Sequence, residues 1–341
     1  MLRFDSDYME GCCPEILERL QNINFDKNSG YGADEYCRSA ADKIRAACKC
    51  ENAAVRFTVG GTQTNKLAID MFLRPWQGVI AAETGHIAVH ESGAIESSGH
   101  KVLTIPGVDG RLRAEDVRAY MIRHFADESY EHTVQPGMVY ISHPSEYGTL
   151  YSLAELRDLR AVCDEYGLKL FLDGARLGYG LAAKGTDVTL PDIAACCDVF
   201  YIGGTKVGCL FGEALVVPNP ADAPAFVTII KQHGALLAKG WLLGLQFDTL
   251  FTDGLYGRIS AHAIELAGYL REKLLEKGVR LHIDSPTNQI FPVLENGVMQ
   301  RLREKVSFNI WEPADENHTV IRFAVSWATK REDVDALLAL L

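Results

Sequence analysis

Three short segments carry side chains that do chemistry when they are drawn into a protein interior. Phe200-Tyr201-Ile202-Gly203-Gly204-Thr205-Lys206 sets a lysine among small residues directly after an apolar run. Such a lysine gives up its proton easily and becomes an amine nucleophile able to form a Schiff base. The plainer reading is a lysine that snorkels or pairs with an acid. Leu170-Phe171-Leu172-Asp173-Gly174-Ala175-Arg176 places an acid and a base at the C-terminal end of an apolar strand. Ligands bind at that end in open α/β sheets, although Asp173 also suits a turn cap paired with Arg176. Gly60-Gly61-Thr62-Gln63-Thr64-Asn65 is a glycine turn between a β-branched run and an amphipathic helix. Free N–H groups and the positive end of the helix dipole there suit a phosphate. The segment matches neither a dinucleotide fingerprint nor a P-loop, and a simple strand-to-helix turn is its alternative.

These residues need a scaffold that brings strand ends and helix starts to one place. From about residue 53 to 217, short β-branched runs alternate with amphipathic helical stretches. That alternation predicts an α/β fold with a mainly parallel sheet and helices on both faces. The predicted strands are Ala54–Val59, Val79–Ala82, Val102–Ile105, Met138–Ser142, Lys169–Leu172, Val199–Ile202 and Ala214–Val217. Ser152-Leu153-Ala154-Glu155 is a capping box ahead of an apolar face of Leu156, Leu159, Val162 and Cys163, and Gly167 closes that helix. Beyond about residue 221 comes a long helical region interrupted by Gly240, Gly244 and Gly254, then a helix from about Ser260 to Lys277. Strands are predicted at Val279–Ile283, Asn288–Val293, Val306–Trp311 and Thr319–Val325, and Thr329-Lys330-Arg331-Glu332 as the cap of a final helix. The expected organisation is an N-terminal arm over 1–25, a large domain over 26–252 and a smaller C-terminal α+β domain over 253–341.

Composition removes other classes of function. The 341 residues include 34 Lys plus Arg against 45 Asp plus Glu, a net charge of −11 with no basic stripe, so no nucleic acid partner is expected. No apolar stretch approaches the about 20 residues of a membrane span. Met1 to Asp7 carries acids where a signal peptide needs an apolar core, so no membrane and a cytoplasmic location are expected. Nine cysteines, an odd count with adjacent pairs at Cys12-Cys13 and Cys196-Cys197, read as reduced buried thiols. Cys48 and Cys50 have no second pair at zinc spacing, so no metal is expected.

Anion cup, strand-end aspartate and following lysine stand in the order found in pyridoxal 5′-phosphate (PLP) enzymes of the aspartate aminotransferase superfamily. Each meets a need of that cofactor: its phosphate, its pyridine nitrogen and its aldehyde. More narrowly, the sequence resembles the low-specificity L-threonine aldolase family, within the β-eliminating lyase group. The resemblance is carried by Asp5-Ser6-Asp7, Gly30-Tyr31-Gly32, Gly60 to Asn65, Thr84-Gly85-His86, Asp173 to Arg176 and Thr205-Lys206, and runs from Phe4 nearly to the C-terminus. It implies a PLP-dependent transferase-like large domain (fold type I) with a smaller C-terminal α+β domain. It further implies that Lys206 carries the cofactor as a Schiff base, that Asp173 pairs with the pyridine nitrogen, that Gly61 and Thr62 hold the phosphate, and that His86 stacks on the ring. Ser6, Arg176 and Arg322 correspond to residues that hold the substrate carboxylate, Arg176 beside the cofactor as well, and Tyr31 belongs to the substrate site. Lys231 and Lys239 lie where the family places basic residues near the phosphate, one of them reaching in from a neighbouring subunit. Arg322 also draws notice without the resemblance, because it interrupts the apolar strand Thr319–Val325. A buried charge needs a partner, and the arginine fork fits a carboxylate; a solvated strand face is the plainer reading.

The pattern departs at one place. Where the well-known form of the family has a second active-site histidine, this sequence has Glu146, with His143 three residues earlier. A carboxylate serves as a base when its surroundings raise its pKa. Glu146 is therefore expected to assist the substrate hydroxyl, with His143 as the alternative. The implied activity is retro-aldol cleavage of L-threonine, L-allo-threonine and related β-hydroxy-α-amino acids to glycine and an aldehyde, in a homodimer or homotetramer with active sites at the subunit interface. Because one scaffold hosts several reactions, β-elimination or transamination on the same cofactor is an alternative, and a catalytically silent cofactor-binding protein is another.

Overall fold

The computed structural model describes all 341 residues. Its strands are β1 (Leu2–Arg3), β2 (Ala54–Thr58), β3 (Gln77–Ala82), β4 (Val102–Ile105), β5 (Gln135–Ser142), β6 (Lys169–Asp173), β7 (Val199–Gly203) and β8 (Glu213–Val217). The C-terminal part adds β9 (Gln289–Ile290), β10 (Val293–Glu295), β11 (Val306–Ser307), β12 (Asn309–Pro313) and β13 (His318–Ala324). Strands β2 to β8 form one sheet in the order β2-β8-β7-β6-β5-β3-β4. From β7 to β4 every pairing is parallel, and β8 is reversed against both β7 and β2.

The apolar runs that suggested strands divide by alternation, since successive side chains point to opposite faces. Val79, Met138, Tyr140, Phe171 and Tyr201 pack with Leu67, Ala68 and Ile69 of the helix Gly61–Phe72. Ile80, Val139, Ile141, Leu170 and Leu172 share a second core with Leu156, Leu159 and Val162 of the helix Leu153–Tyr166. The sheet is therefore covered on both faces, as strands apolar at nearly every position require. Ser152 and Glu155 form the capping box, and Gly167 closes that helix in the left-handed region at φ 67°.

Three local expectations fail for identifiable reasons. Gly244 does not interrupt a helix but lies inside Trp241–Leu250, where a Cβ would stand 2.5 Å from the Cys37 backbone nitrogen; the glycine lets this helix press against Glu35–Ala47. Val279–Ile283 forms no strand. Leu281 makes a single bridge to Pro292, which has no N–H to extend a ladder, and the same proline separates β9 from β10. Thr329 does not cap the last helix, because its hydroxyl accepts from the Ser326 backbone N–H at 2.8 Å and Lys330 takes the cap position without a side-chain bond.

In the smaller sheet β13 lies between β10 and β12 and also pairs with β9, while β1 runs parallel to β11. The N-terminal arm is thus stitched to the C-terminal strands, with the Phe4 carbonyl accepting from Ala324 N–H at 2.8 Å. One continuous core holds residues from Phe4 to Leu338. No helix is long and apolar enough to cross a membrane, and all nine cysteines are free thiols.

Candidate active site

Parallel strands end on one edge of the sheet, and that edge gathers the chemistry. Ser142 at the end of β5 is the register partner of Asp173 at the end of β6, and Lys206 follows three residues after β7. A cleft of about 280 Å³ there is lined by Gly61, Thr62, His86, Glu146, Asp173 and Lys206, among others. It shares Tyr8, His86, Glu146, Arg176 and Lys206 with an adjoining hollow of about 590 Å³ that Trp311 and Arg322 also line. The arm, the large sheet and the C-terminal strands all contribute to this space.

Asp173 is the most heavily bonded group in the cleft. Its Oδ1 accepts from the Tyr201 hydroxyl at 2.6 Å and the Ala175 N–H at 2.9 Å; its Oδ2 accepts from the Tyr140 hydroxyl at 2.5 Å and the Asn65 amide at 3.0 Å. Burial pushes this carboxyl up, but His86 and the phenol donors outweigh it and hold the group below its ordinary value. It is an anion fixed in place.

Lys206 forms no hydrogen bond or ion pair through its amine, which lies 5.9 Å from the Tyr8 ring centre. Burial, then the Arg176 guanidinium, lower its ammonium below the usual lysine value, against the pull of Asp7, Asp173 and Glu213. Glu213, buried on the same wall, accepts from the Gly204 N–H at 3.0 Å, and burial pushes its carboxyl up to about 8.

Glu146 and His86 meet on the cleft wall. The Glu146 Oε1 accepts from the Ser142 hydroxyl at 2.7 Å and from the His86 N–H at 2.9 Å, while Oε2 is buried without a partner. Burial raises its pKa, with the Ser142 bond opposing. His143 takes a different position. It lines neither hollow, its Nδ1 accepts from the Tyr151 N–H at 3.3 Å, and burial lowers its pKa to about 4. Of the two candidates, Glu146 faces the cleft and His143 lies beneath it.

The two arginines differ in kind. Arg176 grips Asp7 through two bonds, Nε to Oδ2 at 2.7 Å and Nη2 to Oδ1 at 3.0 Å, so the fork expected for a substrate carboxylate is already filled from within the chain. Asn288 donates to the same Asp7 at 2.9 Å. Arg322 has no acidic partner. It donates to the Gln289 side-chain oxygen at 2.9 Å and the Asp5 carbonyl at 3.2 Å, lies 5.6 Å from the Trp311 ring centre, and leaves Nε buried and unpaired. Burial, then Arg176, lower its pKa to about 10. The Ser6 hydroxyl is likewise buried without a partner.

Tyr31, Lys231 and Lys239 are not brought to this cleft within the chain. Lys231 lies 4.6 Å from the Tyr31 ring centre, and Tyr31 lines a separate hollow with Arg38, Arg45, Arg56 and Leu237. All three are exposed. Sequence reasoning also left Asp7, Tyr140, Tyr201, Glu91, Glu213 and Gln289 without roles. Glu213 carried a signal, being an acid at the start of the apolar run Ala214–Val217; Asp7, in an acidic segment, and the tyrosines, ordinary strand residues, carried none.

The fold is that of the aspartate aminotransferases: a Thermus thermophilus aspartate aminotransferase variant superposes with a TM-score of 0.71 at 15% identity, covering 100% of this chain and 90% of that one. The chain belongs to the beta-eliminating lyase family, whose model matches residues 3–320. It is 32% identical to a low specificity L-threonine aldolase of a Pseudomonas strain, over 99% of this chain and 96% of that protein. The Leishmania major threonine aldolase structure superposes with a TM-score of 0.96 at 43% identity, covering 100% and 98% of the two chains.

Proposed function

We propose that the protein is a PLP-dependent aldehyde-lyase that cleaves L-threonine, L-allo-threonine and related β-hydroxy-α-amino acids to glycine and an aldehyde. The observation that carries this reading is Lys206, an amine without an acid partner, in one cleft with the four-bonded carboxylate of Asp173. The names of the relatives support the same activity.

The residues fit PLP on features of the chain itself. The helix Gly61–Phe72 begins without a side-chain cap, so its first N–H groups are free for a phosphate. A Cβ on Gly61 would come 3.1 Å from the Tyr201 hydroxyl, which favours glycine where backbone borders the cleft. Lys206 offers the amine, Asp173 the counter-charge for the ring nitrogen, and His86 a flat side chain on the cleft wall. Tyr201 lines the cleft and Tyr140 does not, so the Tyr201 hydroxyl is the donor that a ring N–H would share or replace. When bound, PLP supplies an electron-withdrawing ring that accepts the electron pair released at Cα.

The substrate's side of the reaction falls to this chain's polar groups. The Ser6 hydroxyl and Arg322 Nε bind the carboxylate, and Arg176, oriented by Asp7, presents its remaining Nη1. Glu146 takes the β-hydroxyl proton on Oε2, its raised pKa making it a stronger base than an exposed carboxylate. Loss of that proton and scission of Cα–Cβ release the aldehyde. In a homodimer or homotetramer, the exposed Tyr31, Lys231 and Lys239 serve a neighbouring subunit's site. The test is to incubate the PLP-loaded protein with L-threonine and assay acetaldehyde, glycine and 2-oxobutyrate. Equimolar acetaldehyde and glycine are expected; 2-oxobutyrate without glycine would replace the proposal with β-elimination.

A further inference from the structure

Glu91 has no role in the reading above, yet it is buried directly behind the cleft. It follows the short helix His86–Val89, and its side chain is wholly shielded from solvent. Its Oε1 accepts from the Asn65 amide at 2.7 Å and faces His86 Nδ1 at 2.7 Å. The same amide nitrogen donates to Asp173 Oδ2 at 3.0 Å. Oε2 has no partner. A buried, half-satisfied carboxylate is costly where an apolar side chain would pack without penalty. The amide orientation follows from chemistry, since turning it would set its carbonyl against two carboxylates.

A carboxylate only accepts, so the His86 nitrogen that faces Glu91 carries the proton. The other ring nitrogen, Nε2, bonds nothing in the chain, and His86 lines both hollows of the site. We propose that Glu91 is a positioning residue that holds His86 with its proton on Nδ1 and leaves Nε2 as an acceptor toward the ligand, from a carboxylate moored through Asn65 to Asp173. The helix Gly61–Phe72, the turn after His86–Val89 and the end of β6 are thereby tied into one buried frame. The imidazole on the cleft wall and the partner of the ring nitrogen cannot shift independently. Other charged or titratable groups face His86 without bonding its ring: Glu146 accepts from its backbone N–H, the His90 ring lies 5.5 Å away, and Lys206 and Arg176 line the same space. The consequence for catalysis rests on the cofactor reading above, whereas the tautomer is a property of the ligand-free chain.

Nitrogen-15 NMR of the full-length, cofactor-free protein with labelled histidine, at a pH where the ring is neutral, reads the tautomer directly. The wild type is expected to show His86 protonated on Nδ1, Glu91→Ala to lose that preference, and Glu91→Gln, whose carbonyl still accepts, to keep it. In the PLP-loaded enzyme, Glu91→Ala is expected to lower kcat by about 10- to 100-fold, as for carboxylates that orient ligating histidines. KM for threonine should change by less than about threefold, and Glu91→Gln should recover most of the loss. A wild-type His86 protonated on Nε2 overturns the proposal, and so does a folded Glu91→Ala with an unchanged tautomer or kcat. Should Glu91→Ala not fold, the wild-type spectrum and the Gln variant still decide. A wild type that binds no PLP overturns the cofactor reading instead.

Discussion

Asp173 takes four donors in the cleft, whereas Glu146 Oε2 and Arg322 Nε on the walls of the two joined hollows, and Ser6 Oγ, which lines neither, are buried with none. The two arginines repeat the contrast: Arg176 is closed on Asp7, while Arg322 has a backbone carbonyl, an amide oxygen and an indole face but no counter-charge. Filled valences make a rigid, permanently charged base for the site. Unfilled ones cost free energy in the ligand-free chain and are recovered when a carboxylate or hydroxyl arrives. Bonded and unbonded groups should therefore respond differently to mutation.

The largest expected effect is on the closed pair. Asp7→Asn leaves a buried guanidinium without its charge partner and should destabilise the fold by about 3–5 kcal/mol in denaturant unfolding. Burial raises the Asp7 pKa, but Arg176 and Lys206 bring it down from 3.8 to about 2. Its contribution is thus complete above 3.8 and is lost as pH falls toward about 2, a loss that Asp7→Asn should not show. Arg322→Met sharpens the contrast from the other side. Stability should stay within about 1 kcal/mol of the wild type, because no ion pair is broken. KM for threonine should rise about 10- to 100-fold, the worth of a charged hydrogen bond to the substrate carboxylate. Equal destabilisation by Asp7→Asn and Arg322→Met would erase the distinction between the two arginines.

Tyr140→Phe removes the Asp173 donor that lies outside the cleft and that a ring N–H would not replace, and should weaken PLP binding by about tenfold in an absorbance titration, with the fold intact. A pH effect of opposite sign concerns Glu213, which burial keeps protonated up to about 8 in the fold but only to its ordinary 4.5 when unfolded. Its contribution to stability is full below 4.5 and declines as pH rises toward about 8. Glu213→Gln should flatten that decline in thermal melts recorded across the same range.

Features of one strand or one turn were legible in the sequence. Asp173 at the end of β6, Lys206 after β7, the Ser152–Glu155 box and the Gly167 stop all follow from local pattern, and the structure holds them there. What joins residues far apart was not legible. Asp7 and Arg176 are separated by 169 positions, Asn65 and Asp173 by 108, and no periodicity encodes such a meeting. Gly244 was misread because a helix-breaking residue is also what a close helix crossing requires, and only the position of Cys37 distinguishes the two. The choice between Glu146 and His143 likewise needed the strand end to be built, since three residues decide which side chain clears the sheet edge.

The central claim is that Lys206 is the amine that takes the cofactor aldehyde. Reducing the PLP-loaded protein with borohydride, digesting it and mapping the pyridoxyl group by mass spectrometry tests this directly. One modified lysine, Lys206, is expected, with no adduct at the equivalent peptide in Lys206→Ala. A pyridoxyl group on another lysine, or none in protein that has bound PLP, would contradict it.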